Sequence, residues 1–174
     1  MPTATDRDFI DMRVSDVRRI AESGQDHHVV LLQEPGTGRR LPIWIGSEHA
    51  LELAVRLLGH GSQLPRPLSS DLTARLIRSL DGNLREVRID RLAEGTYYAA
   101  IVIDGPKGAI DVDARPSDAL ALALVVGAPI RVDRAVVETT ESDRTVARAL
   151  AVVDSQDVGG AQALLDALAE EAQR

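Results

Sequence analysis

From Ala119 to Val126 no position is polar. A helix built on that run is apolar on every side, so other elements must enclose it. The pattern elsewhere predicts what encloses it. Met12 and Val14 alternate with polar residues, whereas Val17 and Ile20 break the alternation, which predicts a strand over 12–20 with an irregular end. His28–Gln33 reads as a second strand, Pro35-Gly36-Thr37-Gly38 as a turn, and Arg40–Ile45 as the returning partner. A helix over 47–58 follows. Its Glu48, Glu52 and Arg56 stand four apart as one polar stripe, and the pattern predicts a solvent-facing Glu52–Arg56 pair. After a loop holding Pro65 and Pro67, a helix capped by Ser69 or Ser70 runs through Leu80, with Leu72, Leu76 and Leu80 along its apolar side.

A second series repeats the first. Val87 and Ile89 alternate with charges, Thr96–Ile103 is rich in β-branched and tyrosine residues, and Ala109–Asp113 leads into the apolar helix. Ala50-Leu51-Glu52-Leu53-Ala54 resembles Ala119-Leu120-Ala121-Leu122-Ala123 at a shift of 69, while Ser47-Glu48 matches Ser117-Asp118 at 70. The order strand, strand, strand, helix therefore occurs twice. The predicted fold is α+β: duplicated β-β-β-α units form a mixed, mainly antiparallel sheet packed against helices, with a C-terminal helical tail. Residues 8–135 form the domain. Residues 136–174 form an acidic, partly helical tail, polar over 138–144 and weakly amphipathic from Gly160 through Leu164, Leu165 and Leu168; it reads as an appendage.

Charge and composition narrow the chemistry. The net charge is −7, but residues 1–134 hold 17 Lys/Arg against 19 Asp/Glu, and the last forty hold 3 against 8. A near-neutral body leaves room for a local arginine patch facing phosphate. The chain has no cysteine, which excludes a thiolate nucleophile and a Cys-type zinc site. No run approaches a membrane span and the polar first residues do not resemble a secretory signal, so a cytoplasmic protein with no membrane partner is expected.

The polar residues that stand out precede the central helix. Ser117 is a favoured N-cap residue, and Asp118 in the first turn complements the helix dipole. On the strand before it, Asp111 and Asp113 share a face, and an extended backbone through Arg115 adds a guanidinium. Two carboxylates beside an arginine suit a divalent ion and a phosphate, the parts of metal-assisted phosphodiester hydrolysis; an exposed strand face is the plainer account. His27, His28, His49 and His60 form no metal-ligand pair of His-x-x-x-His type, and no general base stands out.

Leu41-Pro42-Ile43-Trp44-Ile45-Gly46, Arg66-Pro67-Leu68-Ser69-Ser70-Asp71-Leu72, Gly95-Thr96-Tyr97-Tyr98-Ala99, Asp113-Ala114-Arg115-Pro116-Ser117-Asp118-Ala119 and Ala128-Pro129-Ile130, in this order, resemble the bifunctional nuclease domain family, also known as DUF151. The resemblance covers roughly residues 12–135. It implies a commonly dimeric α+β domain that cleaves RNA and DNA. Where the family usually reads Arg-Pro-Leu-Thr-His-Asp-Leu, this chain has Ser69-Ser70, and a serine supplies neither an imidazole base nor a histidine metal ligand.

These expectations combine into a homodimeric nuclease acting on RNA and DNA. Asp71, Asp113, Arg115 and Asp118 are the candidate catalytic residues, and Asp113, Asp118 and Glu48 the candidate ligands of Mg²⁺ or Mn²⁺. The competing expectation is a non-catalytic dimeric interaction or regulatory module of the same fold. A dimer would also join the Arg66, Arg75 and Arg78 segments of two chains.

Overall fold

A computed structural model describes residues 7–22, 25–155 and 160–171. The first unit is β1 (Phe9–Glu22), β2 (Gln25–Gln33), β3 (Arg40–Ile45) and α1 (Ser47–Leu57). A 3₁₀ turn at His60–Gln63 leads to α2 (Ser69–Ser79). The second unit is β4 (Asn83–Ala93), β5 (Thr96–Gly105), β6 (Gly108–Ala114) and α3 (Pro116–Val126). Then come β7 (Ile130–Asp133), α4 (Arg134–Ser142), α5 (Arg144–Ser155) and α6 (Ala161–Glu171).

The fold is α+β, as the pattern predicts. All seven strands form one mixed sheet in the order β3-β2-β1-β7-β4-β5-β6. Every neighbouring pair is antiparallel except β4 and β7. Each unit is thus a three-stranded meander followed by its helix, and β7 lies between the two first strands.

The one-residue ambiguity in the repeat has a physical source. Both first strands carry a β-bulge, at Val14/Asp16 and at Leu84/Glu86, 70 residues apart. The two helices start at Ser47 and Pro116, 69 apart. Both shifts are real, and a one-residue difference in length lies between bulge and helix.

The core forms where α1, α2 and α3 meet one face of the sheet: Val17, Leu32, Leu53, Ile89, Leu120 and Leu122 are fully buried in it. The apolar run is buried from Ala119 to Ala123 as expected. At its end Gly127 adopts φ +72°, a left-handed conformation that costs glycine little, and its amide closes the helix on the Ala123 carbonyl.

Several local expectations are corrected. Ser117 does not cap α3: Arg115 is the N-cap residue and Pro116 the first helical residue, where its fixed φ and missing N–H fit. Neither Ser69 nor Ser70 caps α2; the Asp71 carboxylate accepts from the Leu68 amide at 2.8 Å. The Glu52–Arg56 pair does not face solvent, because α2 lies against it and leaves the Arg56 side chain 8% exposed. The tail is no appendage. The polar stretch 138–144 belongs to α4 and α5, and Val153 of α5 covers Ile20, Val29 and Leu31 on the reverse face of the first meander. Arg40 grips Asp154 with two bonds of 2.7 Å, and Asp16 accepts from the Ala161 amide at the start of α6. Ala161 and Leu164 join the main core, so the tail does cover part of it. The Leu168 side chain lies outside the described residues.

Candidate active site at two helix N-termini

The duplication brings the start of α1 beside the start of α3. His49 and Asp118, 69 residues apart and equivalent in the repeat, meet there: His49 Nε2 stands 3.0 Å from Asp118 Oδ1. Arg115 donates to both oxygens of the same carboxylate, from Nε at 2.7 Å and Nη2 at 3.2 Å, and its Nη2 lies 3.2 Å from His49 Nε2. An ionised carboxylate only accepts, so Nε2 carries a proton in the His49–Asp118 contact, and in the neutral ring the lone pair is on Nδ1. Burial alone raises the Asp118 carboxyl, but the hydrogen bonds from Arg115 and His49 outweigh it and hold the group below its usual range. Asp118 is therefore an anion that orients the imidazole. Both helices also point their positive ends here, and Arg115 is 70% exposed and free to meet a ligand.

Two clefts flank this cluster. One, of about 570 Å³, is bordered by Trp44, Glu48, His49, Tyr97, Arg115 and Ser117. The other, of about 640 Å³, shares Glu48, His49 and Arg115 and runs under α2 past Leu51, Val55 and Ser70. The cluster sits on the ridge between them. Ser117 is 7% exposed and makes no hydrogen bond through its hydroxyl among the described residues, so that hydroxyl is available to the first cleft.

The residues nominated from sequence do not all converge. Arg115 and Asp118 meet, and Glu48 borders both clefts. Asp113 lies elsewhere. Ile110 and Val112 of β6 pair with Ile103 and Ile101 towards the helical face, so Asp111 and Asp113 face the opposite way. There Asp111 approaches Arg88 at 3.4 Å, beside the Glu86–Arg88 pair. Asp71 is engaged with Arg56 at 2.5 Å and the Leu68 amide; burial raises its carboxyl, and these bonds together bring it below its ordinary value. Ser70, where the family's histidine is expected, donates to Glu52.

The donor set does not suit a metal cage: among the described residues no three His, Asp or Glu side chains lie close enough together to hold an ion. Asp113 is on the wrong face and Asp118 already serves two donors. His49 is the residue that local reading missed. Its only signal was the repeat, which at shift 69 sets it opposite Asp118.

An imidazole oriented by a carboxylate can exchange a proton, and an exposed guanidinium beside it in an open groove can hold an anionic group. The bifunctional nuclease domain model matches residues 30–145, about two-thirds of the chain. The chain belongs to the bifunctional nuclease domain family. It is 46% identical over 126 residues to the uncharacterized protein Rv1829 of Mycobacterium tuberculosis, covering 72% of this chain and 73% of that one. It is 28% identical over 121 residues to bifunctional nuclease 1 of Oryza sativa subsp. japonica and to the bifunctional nuclease of Oryza minuta. Those alignments cover 68% of this chain but 36% of the rice proteins. No helix among the described residues is long and apolar enough to cross a membrane.

Proposed function

We propose that the protein hydrolyses phosphodiester bonds of RNA and DNA, with His49 as general acid and base. The observation that carries this reading is the His49–Asp118–Arg115 cluster at the ridge between two clefts. Arg115 and the two helix N-termini draw the phosphate in and stabilise the charge that builds on its oxygens. His49 Nδ1 takes a proton from a water molecule as the water oxygen bonds to phosphorus. The bond to the leaving oxygen breaks, and the imidazolium returns the proton to that oxygen. Asp118 stabilises the imidazolium through Nε2–H. Water as nucleophile makes the 2′-hydroxyl dispensable, which suits activity on both nucleic acids. Trp44, 49% exposed at the rim, offers a stacking surface for a base.

Among the described residues a divalent ion has no ready cage. Mg²⁺ commonly relies on one or two carboxylates plus substrate phosphates, so any role for it rests on the bound substrate. The setting proposed with this activity is the cytoplasm. The acting species we propose is a homodimer, because Leu72, Leu76 and Leu80 along α2, with Ile110 and Val112 on the edge strand, remain exposed. Sedimentation equilibrium on the full chain tests this, and a monomeric mass across micromolar concentrations would sink it.

The activity test is cleavage of end-labelled single-stranded RNA and DNA, in EDTA and in Mg²⁺ or Mn²⁺, by wild type, His49→Ala and Asp113→Asn. Loss in His49→Ala with retention in Asp113→Asn is expected. Equal background rates for all three would leave the non-catalytic interaction module as the reading of this fold.

A further inference from the structure

We propose a phosphate-binding subsite at the opposite end of α1 from the His49 cluster, in a cleft of about 310 Å³ lined by Arg56, Arg66, Arg75 and Asp71, with Gly61 and Pro65 in its wall. The proposal rests on the nuclease reading for its preferred ligand, a backbone phosphate of a single strand held away from the bond being cut.

Three guanidiniums face one carboxylate in this cleft, a local excess of two positive charges in a chain whose net charge is −7. Asp71 is already counted in that excess: its Oδ2 accepts from both Arg56 and the Leu68 amide, and against burial the nearby Arg75 charge helps hold its carboxyl below the ordinary value. Arg66 and Arg75 are exposed, and neither makes a hydrogen bond or ion pair among the described residues.

Arg56 supplies the independent sign that something is missing. Its side chain is 8% exposed, yet its Nε has no hydrogen-bond partner. Leaving a buried donor of a charged group unpaired is costly, so such a donor marks a place where a partner is expected. The surrounding loop is shaped around that guanidinium: a Cβ at Gly61 would lie 2.4 Å from Arg56 Nη1 and 3.2 Å from Cδ. A tetrahedral oxyanion fits this arrangement, because guanidinium forks bind phosphate through paired N–H donors and the two exposed arginines have donors to offer it. Leu64 borders both this cleft and the one beneath α2, so the two clefts are neighbours.

The same chemistry would accept a free phosphate or a small phosphate ester, and two measurements on the full chain separate the sources. The first is fluorescence anisotropy of a labelled single-stranded 12-mer against KCl, in a His49→Ala background so that the strand is held without turnover. The second is the melting temperature against inorganic phosphate. Replacing Arg66 and Arg75 together with alanine is expected to weaken oligonucleotide binding by about tenfold or more. It should also reduce the slope of log affinity against log salt by roughly 0.7, the share of one phosphate on a single strand. Arg13→Ala, an exposed arginine on β1 outside the cleft, should change neither quantity. Stabilisation by inorganic phosphate that needs Arg66 and Arg75, without oligonucleotide binding, supports the subsite with a small phosphorylated ligand as its occupant. The proposal is overturned if neither measurement depends on the two arginines, or if Arg13→Ala has an equal effect. Cleavage by the wild type no faster than background, with the cleft results intact, defeats the nuclease reading alone.

Discussion

One helix carries two clusters made from similar side chains. At the start of α1, His49 meets Asp118 and Arg115 at a solvent-open ridge; at its end, Arg56 meets Asp71 and Glu52 beneath α2. In the first the arginine is 70% exposed, whereas in the second it is 8% exposed. The difference teaches that residue type does not divide chemistry from architecture here. A buried ion pair must saturate its carboxylates to offset their desolvation, so those carboxylates have little capacity left for a substrate. An exposed cluster can keep a lone pair on His49 and free donors on Arg115, since water satisfies them until a ligand arrives.

The largest expected effect is on the open cluster. His49→Ala should lower cleavage by about 10²–10⁴-fold, the usual share of a general acid or base, with the melting temperature nearly unchanged. A large fall in melting temperature together with activity would make His49 structural and erase the contrast.

Asp71→Asn should behave in the opposite way. Removing the carboxylate strands the Arg56 guanidinium and should cost about 3 kcal/mol, the low end for breaking a buried pair. At 2–4 °C per kcal/mol that is roughly 6–12 °C in melting temperature. Turnover per folded molecule should remain, and a selective loss of turnover would return Asp71 to the catalytic group.

Asp118 lies between these cases. Its carboxyl is held below the ordinary value of 3.8, so its stabilising effect is complete above that pH and disappears as pH falls through the depressed value. Asp118→Asn should cost at most about 1 kcal/mol at neutral pH, as suits a largely exposed pair. Its melting curve should converge with wild type in acid. Thermal denaturation from pH 2 to 7 checks this, and a gap that widens towards low pH would contradict the assignment.

A comparably small effect is expected at Ser70. Ser70→Ala deletes one hydrogen bond to Glu52 and should cost about 1 kcal/mol. Cleavage should be unchanged, because this position belongs to the closed cluster. Abolished cleavage would show that the departure from the family's histidine is chemical.

Much of the architecture was legible in local pattern. Alternation and turn residues marked the strands, the apolar run marked the core helix, and the two shifts of 69 and 70 were both present as real features of one duplication. Local periodicity succeeds there because side-chain direction along a strand or helix is set by its own backbone. The same rule placed Asp111 and Asp113 on one face, but it could not say which face the helices cover. Only the pairing of β6 with β5 decided that, and it turned Asp113 away from Asp118. Likewise, four-residue spacing aligned Glu52 with Arg56, while the packing of α2 decided that the pair is buried. The His49–Asp118 contact spans 69 residues and exists because two meanders sharing one sheet set their helices side by side. Sequence by itself determined which faces are apolar and which groups ride on each element. The tertiary structure decided which of those groups meet, because proximity across a sheet depends on long-range strand order, of which local periodicity carries no record.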